Sequence, residues 1–222
     1  MTARRLLELW EPPEGYRLAS AIATTYELQA DFFEEDLLPV ALELRVAPAR
    51  GREFRLELER ALQDTEISVF FHPGRYQPGL RRSPRVDLVP LPEGRFPKLH
   101  AKVALHRFIT PSALGAKSQI VRLIVGSANL TSPGYRSNLE VAVAVDDAHG
   151  CAAEAATVVR DATAWFEKLV GASSEQVTRQ FRDINAIFAS RSIIERREAV
   201  RFLGLPFDGG LPALMKPADT EN

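Results

Sequence analysis

Two basic side chains, His100 and Lys102, stand two positions apart in Leu99–Leu105, a stretch whose composition predicts a strand. Because residues i and i+2 of a strand point to the same face, the spacing predicts an imidazole beside an ammonium. Such a pair suits attack on a phosphate, since the ammonium holds the anion while the imidazole supplies a nucleophile or a proton. For His100 taken alone, a structural histidine half buried on a strand is the plainer interpretation.

Polar groups that fit a phosphate follow the next predicted strand, Ile120–Val125. Gly126 and Ser127 offer a tight turn, a hydroxyl and backbone N–H groups, and Asn129 adds a side-chain amide. Glu140, at the start of the following strand, is an acid free to orient an imidazole through its second nitrogen. The alternatives are turn-forming roles for Ser127 and Asn129 and a solvated surface role for Glu140.

Taken in order, His-x-Lys, Gly-Ser-x-Asn and Asn-x-Glu resemble the signature of the single-motif nuclease branch of the phospholipase D superfamily. The resemblance covers about residues 18–170, with the motifs confined to 98–140. It implies an α/β fold, a phospholipase D-like α-β-α sandwich with a mixed central sheet and C-terminal helices. It also implies a catalytic set composed of His100, Lys102, Ser127, Asn129 and Glu140.

The chemistry implied by this resemblance is a two-step hydrolysis of a phosphodiester through a phosphohistidine on His100. The chain carries one motif, so the second histidine is expected from a second copy, with the site at a homodimer interface. No cofactor and no divalent metal are expected. The family's usual aspartate, seven residues after the histidine, is here Arg107, and Glu140 is the carboxylate expected to take its place.

Charge is unevenly distributed along the 222 residues. The net charge is −1, but residues 71–140 carry 11 basic and 3 acidic side chains. A basic middle third suits a polyanion, although a solvated surface has the same composition. The candidate nucleic-acid contacts lie in a loop-rich stretch and are Arg75, Tyr76, Arg81, Arg82 and Arg85. DNA is favoured over RNA as the ligand.

The resemblance implies a metal-independent nuclease, and association with the family alone adds a place in restriction or anti-phage defence beside a helicase or ATPase partner. A catalytically inactive nucleic-acid-binding or scaffold subunit is one alternative, favoured by Arg107, and a lipid phosphodiesterase is another. No apolar run approaches 18 residues, and Glu8, Glu11 and Pro12 interrupt any signal-peptide core. A cytoplasmic protein without membrane contact is therefore expected, and the single cysteine, Cys151, agrees with a reducing compartment.

The elements that must position these residues follow from periodicity and capping signals. A catalytic domain is expected over residues 1–171, a helical appendage over 172–205 and a flexible tail over 206–222. His72 is interpreted as a loop residue, and His106 and His149 as structural residues. The predicted strands are Ala19–Leu28, Ile67–Phe71, Val86–Val89, Leu99–Phe108, Ile120–Val125 and Leu139–Val145. The predicted helices are 32–38 with Asp31 as N-cap, Arg52–Leu62, Ala152–Val170, Ser173 or Ser174 to Phe188, and Ile193–Leu203.

Overall fold

The computed structural model describes residues 6–80, 83–91, 99–111, 118–171 and 173–190. The strands in this part of the chain are β1 (Arg17–Thr25), β2 (Leu28–Gln29), β3 (Glu66–Phe71), β4 (Tyr76–Gln77), β5 (Val86–Pro90), β6 (Val103–Ile109), β7 (Gln119–Gly126) and β8 (Ala142–Asp147). Six of them form a central sheet in the order β5-β3-β1-β6-β7-β8, and β2 pairs with β4 in a small separate sheet.

The central sheet is mixed. Strands β1, β3 and β5 are parallel, whereas β6, β7 and β8 each run antiparallel to the preceding neighbour in the sheet. The carboxyl ends of β1, β3 and β7 therefore share one end of the sheet with the first residues of β6 and β8. In open α/β sheets, ligands bind outside the carboxyl ends of the strands, at the point where the strand order reverses.

Helices cover both faces of the sheet. They are α1 (Ala30–Phe32), α2 (Leu38–Ala41), α3 (Arg52–Ala61), α4 (Ser132–Arg136), α5 (Ala153–Val170) and α6 (Glu175–Ala189), with a π-helical segment at Phe33–Leu37 and 3-10 turns at Leu6–Leu9, Pro48–Arg50 and Pro73–Arg75. The predicted mixed α/β architecture with a mixed central sheet and C-terminal helices is confirmed.

Alternation along β6 shows how one strand serves two hydrophobic cores. Ala104 and Phe108 face the core formed with the N-terminal helical segments, where Phe33 and Phe54 are buried. Leu105 points the other way, into the core beneath α5 and α6. Because successive side chains of a strand point to opposite faces, a sheet buried on both sides needs near-continuous apolar strands, as seen here.

The last two helices of the described residues begin and end within one or two residues of the predicted bounds. Gly171 ends α5 with φ 60°, a conformation that glycine adopts without steric cost. Ser174 caps α6, and its Oγ accepts a hydrogen bond from the Val177 N–H at 3.2 Å. Within the segment predicted as an appendage, α6 lies against the sheet: the Gln180 amide donates to the carbonyl oxygens of Ala21 and Glu66.

Four elements have predicted boundaries that are wrong by two residues or more. The first predicted strand, Ala19–Leu28, is β1, which ends at Thr25, and Leu28 belongs to β2. The first helix begins at Ala30, and Asp31 caps nothing but accepts a hydrogen bond from the Leu80 N–H at 3.0 Å. Strand β6 begins at Val103 instead of Leu99, since β1 offers its last partner there, at Thr24. Strand β8 begins at Ala142 instead of Leu139, because β7 ends at the paired Gly126.

The predicted helix Ile193–Leu203 and the predicted tail 206–222 lie outside the described residues. Among the helices that the structure describes, none combines the length and the apolar composition needed to cross a membrane.

Candidate active site

The five residues predicted as catalytic lie on three segments at the same end of the central sheet. His100 and Lys102 immediately precede β6, Ser127 and Asn129 immediately follow β7, and Glu140 precedes β8. The antiparallel pairing of these three strands brings the segments together, although 40 residues separate His100 from Glu140. The end of β1 completes this edge.

His100 and Lys102 form the predicted pair, but not as neighbours on a strand. Both precede β6, and the irregular backbone folds the ammonium back onto the imidazole: Lys102 Nζ lies 3.1 Å from each ring nitrogen of His100 and donates to the His100 carbonyl oxygen at 3.0 Å. The Lys102 carbonyl accepts the Gly126 N–H at 3.0 Å, which ties the pair to the end of β7. His100 is exposed and Lys102 is half-buried, so a ligand can reach both.

Ser127 is held by the chain that leads into β8. Its N–H donates to the Val141 carbonyl at 3.0 Å, and its hydroxyl accepts from the Val141 N–H at 3.1 Å and donates to a carboxylate oxygen of Glu140. The other carboxylate oxygen accepts from Asn138 Nδ2 at 3.3 Å. The expected partner of Glu140 was the imidazole; within this chain the carboxylate instead orients the Ser127 hydroxyl.

Asn129 joins the β7 loop to the end of β1. Its Oδ1 accepts hydrogen bonds from the Glu27 N–H at 3.2 Å and the Thr25 hydroxyl at 3.4 Å. Gly134 allows the loop to fold back, because a Cβ there would lie 2.6 Å from the Asn129 carbonyl oxygen. Because its side-chain oxygen accepts these hydrogen bonds, Asn129 would bind an anion through its side-chain NH₂ group.

Tyr26, immediately after β1, is a site residue that the sequence interpretation missed. Its ring centroid lies 5.3 Å from those of both His72 and His100. Arg75 Nε donates to the Tyr26 hydroxyl at 3.0 Å, and Lys102 Nζ lies 6.0 Å from the ring centroid. The signal was available in part, since Tyr26 lies near the end of one predicted strand and His72 follows another; the structure shows these strands to be parallel neighbours, whose carboxyl ends meet.

The segment that carries His72 and Arg75 is fixed by the small β2–β4 sheet, in which Leu28 pairs with Tyr76. Tyr76 is one of the candidate nucleic-acid contacts. Its ring stacks on Phe71, with centroids 4.9 Å apart, and packs against the core, so that this ring anchors the segment.

The other predicted nucleic-acid contacts do not gather at the site. Arg85 precedes β5, at the opposite end of the sheet, and lies 3.5 Å from a carboxylate oxygen of Glu59. Arg81 and Arg82 lie outside the described residues. Arg75 is the member of this set that the structure places beside the predicted catalytic residues.

Arg107, where the resemblance would lead one to expect an aspartate, faces away from the site. Its guanidinium donates to Asp183 on α6 at 3.0 Å and to Gln119 at 3.2 Å, which joins the sheet to α6. The neighbouring His106 is fully buried against Trp10, with ring centroids 4.4 Å apart. Burial, and secondarily the Arg122 charge, lowers the pKa of His106 from 6.5 to about 3, so it is a neutral core residue.

Among the described residues, no group of three or more His, Cys, Asp or Glu side chains is arranged to hold a metal ion. No protein-family model matches the chain. A search of curated proteins likewise finds no significant match. The site is therefore interpreted from its own geometry.

Proposed function

We propose that the protein is a phospholipase D-like phosphodiesterase that cleaves nucleic acid, with DNA favoured. The observation that carries the proposal is the meeting of the His100–Lys102 pair with Ser127, Asn129 and Glu140 at one end of a mixed sheet. A nucleophilic nitrogen, a fixed cation and polar hydrogen donors are what attack on a phosphodiester needs.

In the proposed reaction a ring nitrogen of His100 attacks phosphorus, and the bond to the leaving oxygen breaks as the nitrogen–phosphorus bond forms. A second, protonated imidazole gives its proton to that oxygen. Water then attacks phosphorus while the deprotonated second imidazole takes its proton, and the nitrogen–phosphorus bond breaks to release His100 and the phosphorylated product. Lys102 and the Asn129 amide stabilise the charge on the phosphoryl oxygens throughout.

The second imidazole is proposed to be His100 of a second copy. An exposed apolar surface beside the site supports this assembly. We call it the β8 surface; it is composed of Val125, Leu139, Val141 and Val143, which are between 37% and 100% exposed. Val125 and Val143 are paired on adjacent strands, and Leu139 and Val141 flank Glu140. An apolar patch of this kind marks an interaction surface more often than a surface left in water.

One observation favours a second candidate function, a catalytically inactive nucleic-acid-binding subunit. Arg107 replaces the family's aspartate and is engaged with Asp183, so that no carboxylate stands at this position to orient a histidine. Glu140, the acid at the site, is bonded to Ser127. An inactive subunit would keep the cationic groups that bind phosphates while lacking the oriented imidazole.

The experiment is cleavage of end-labelled single-stranded and double-stranded DNA in EDTA by the wild-type chain, His100→Ala and Lys102→Ala, with short-chain phosphatidylcholine as the lipid substrate. The proposal expects cleavage of DNA by the wild type alone. DNA binding without cleavage by the wild type would favour the inactive subunit, and hydrolysis of the lipid alone would favour a lipid phosphodiesterase.

A further inference from the structure

A second group of cationic and polar side chains lies beside the candidate catalytic pair and is not used by the proposed reaction. His72 follows β3, and Arg75 lies three residues further on, in the turn that leads into β4. Arg75 is 54% exposed, and its hydrogen bond to Tyr26 is made through Nε, so the two terminal nitrogens take no part in that bond. His72 is half-buried and stacks on Tyr26 with an interplanar angle of 20°.

Tyr26 fixes the distance between this group and the catalytic pair. Its ring has His72 and His100 at 5.3 Å, the Arg75 guanidinium carbon at 5.5 Å and Lys102 Nζ at 6.0 Å, all measured to the ring centroid. The four side chains therefore surround one aromatic ring. A ligand longer than one phosphate, lying across this end of the sheet, can reach both pairs.

One acid lies close to this group. A carboxylate oxygen of Glu27 is 3.7 Å from Arg75 Nη1, beyond hydrogen-bond length, and both side chains are more than one-third exposed. An exposed ion pair of this geometry contributes little, so the guanidinium stays available to a stronger anion such as a phosphate.

We propose that His72 and Arg75 form a second phosphate subsite, which binds the phosphate adjacent to the one held by His100 and Lys102 in a nucleic-acid strand. This inference rests on the proposed function and adds to it a preference for substrates that carry several phosphates in a row. A nucleic-acid strand carries one phosphate per 3.4 Å of rise, so a strand bound at the catalytic pair brings further phosphates to the neighbouring group. Arginine binds phosphate oxygens with paired N–H groups, and the imidazole adds an N–H donor.

The test compares two substrates of the full-length protein. A labelled single-stranded oligodeoxynucleotide offers several phosphates, and bis(4-nitrophenyl) phosphate offers one phosphodiester. The variants are His72→Ala and Arg75→Ala. Arg179→Ala is the matched control, because Arg179 is 45% exposed and likewise paired with a glutamate, Glu66, but lies on α6. We expect Arg75→Ala and His72→Ala to lower kcat/KM for the oligonucleotide about tenfold or more, mainly through KM. The loss of kcat/KM for bis(4-nitrophenyl) phosphate should be at least about fivefold smaller than the loss for the oligonucleotide, because this substrate has no second phosphate to bind at the subsite.

A parallel loss on both substrates would overturn the subsite, because it would mean that the two residues act only through Tyr26 and His100. An unchanged kcat/KM for the oligonucleotide would overturn it as well. If the wild type hydrolyses neither substrate, the proposed function fails, and fluorescence anisotropy of oligonucleotide binding decides on the subsite alone. There, Arg75→Ala should weaken binding and flatten the plot of log K against log salt by about 0.7, the value for one single-strand phosphate. Unchanged affinity and slope would overturn the subsite in that case also.

Discussion

The buried His106 should make the stability of this protein depend on pH in a way that one substitution removes. Its imidazole is fully buried between Trp10 and Phe108, and both ring nitrogens lack a hydrogen-bond partner among the described residues. Its pKa falls from 6.5 to about 3, first because of burial and second because of the Arg122 charge. Above pH 6.5 the imidazole is neutral in both the folded and the unfolded chain, so its lowered pKa does not change the free energy of unfolding. As the pH falls from 6.5 towards 3, only the unfolded chain takes up the proton, so the free energy of unfolding decreases.

The magnitude follows from these two pKa values. Between pH 8 and pH 5 the term amounts to about 2 kcal/mol, which corresponds to a Tm change of roughly 4–8 °C in a protein of this size. His106→Phe keeps an aromatic ring beside Trp10 and cannot be protonated. We therefore expect the Tm of His106→Phe minus the Tm of the wild type to be roughly 4–8 °C larger at pH 5 than at pH 8.

Differential scanning calorimetry at both pH values measures this shift. His149→Phe is the control for the substitution itself, because it makes the same change at an exposed position. The carboxylates are common to all three proteins, so their contribution cancels in the comparison. An identical pH dependence of Tm in His106→Phe and the wild type would refute the reasoning.

Three further predictions concern the assembly and the site. The double substitution Val141→Lys and Val143→Lys on the β8 surface should convert the dimer into monomers, as measured by sedimentation velocity, and abolish cleavage. Leu56→Lys, at an exposed position of α3, is the control and should do neither. A dimer that persists in the double variant would exclude this surface. With bis(4-nitrophenyl) phosphate, which offers one phosphodiester, Tyr26→Leu should lower kcat about tenfold to a hundredfold with little change in KM, since the ring positions His100. Tyr26→Phe should retain most activity on this substrate; equal losses would show that the hydroxyl matters instead. Arg122→Gln should lower the free energy of unfolding, measured in urea, by about 3 kcal/mol, because Arg122 is buried and bridges Asp146 to the backbone of the N-terminal segment. A loss below about 1 kcal/mol would contradict the role of Arg122 as a buried bridge.

The helices that carry their own signals could be predicted from the sequence. Gly171 and Ser174 mark the end of α5 and the start of α6 because capping is local chemistry within a few residues. The strand ends could not be predicted as well, since a strand continues only while a neighbour offers backbone hydrogen bonds. His100 and Lys102 lie outside β6 for this reason, because β1 has ended there.

The candidate site was predictable as a set of residues but not as a set of contacts. The motif spacing places Ser127 and Glu140 on consecutive segments, whereas their hydrogen bond depends on how β7 and β8 align. Tyr26 and His72 carry no motif, and their stacking depends on which parallel strands are neighbours. Strand order is a long-range property that local patterns in the sequence do not contain.

The central claim is that His100 attacks a nucleic-acid phosphodiester. Its most direct test is trapping of the intermediate. The wild-type chain and His100→Ala are each mixed in EDTA with an oligodeoxynucleotide labelled with phosphorus-32. The reactions are quenched in alkali, where phosphohistidine survives, and the proteins are separated under denaturing conditions. The account predicts labelled wild-type protein whose label is released by acid, and no labelled His100→Ala. Cleavage of the oligonucleotide by His100→Ala at more than about a tenth of the wild-type rate, or acid-labile label that persists in this variant, would contradict it.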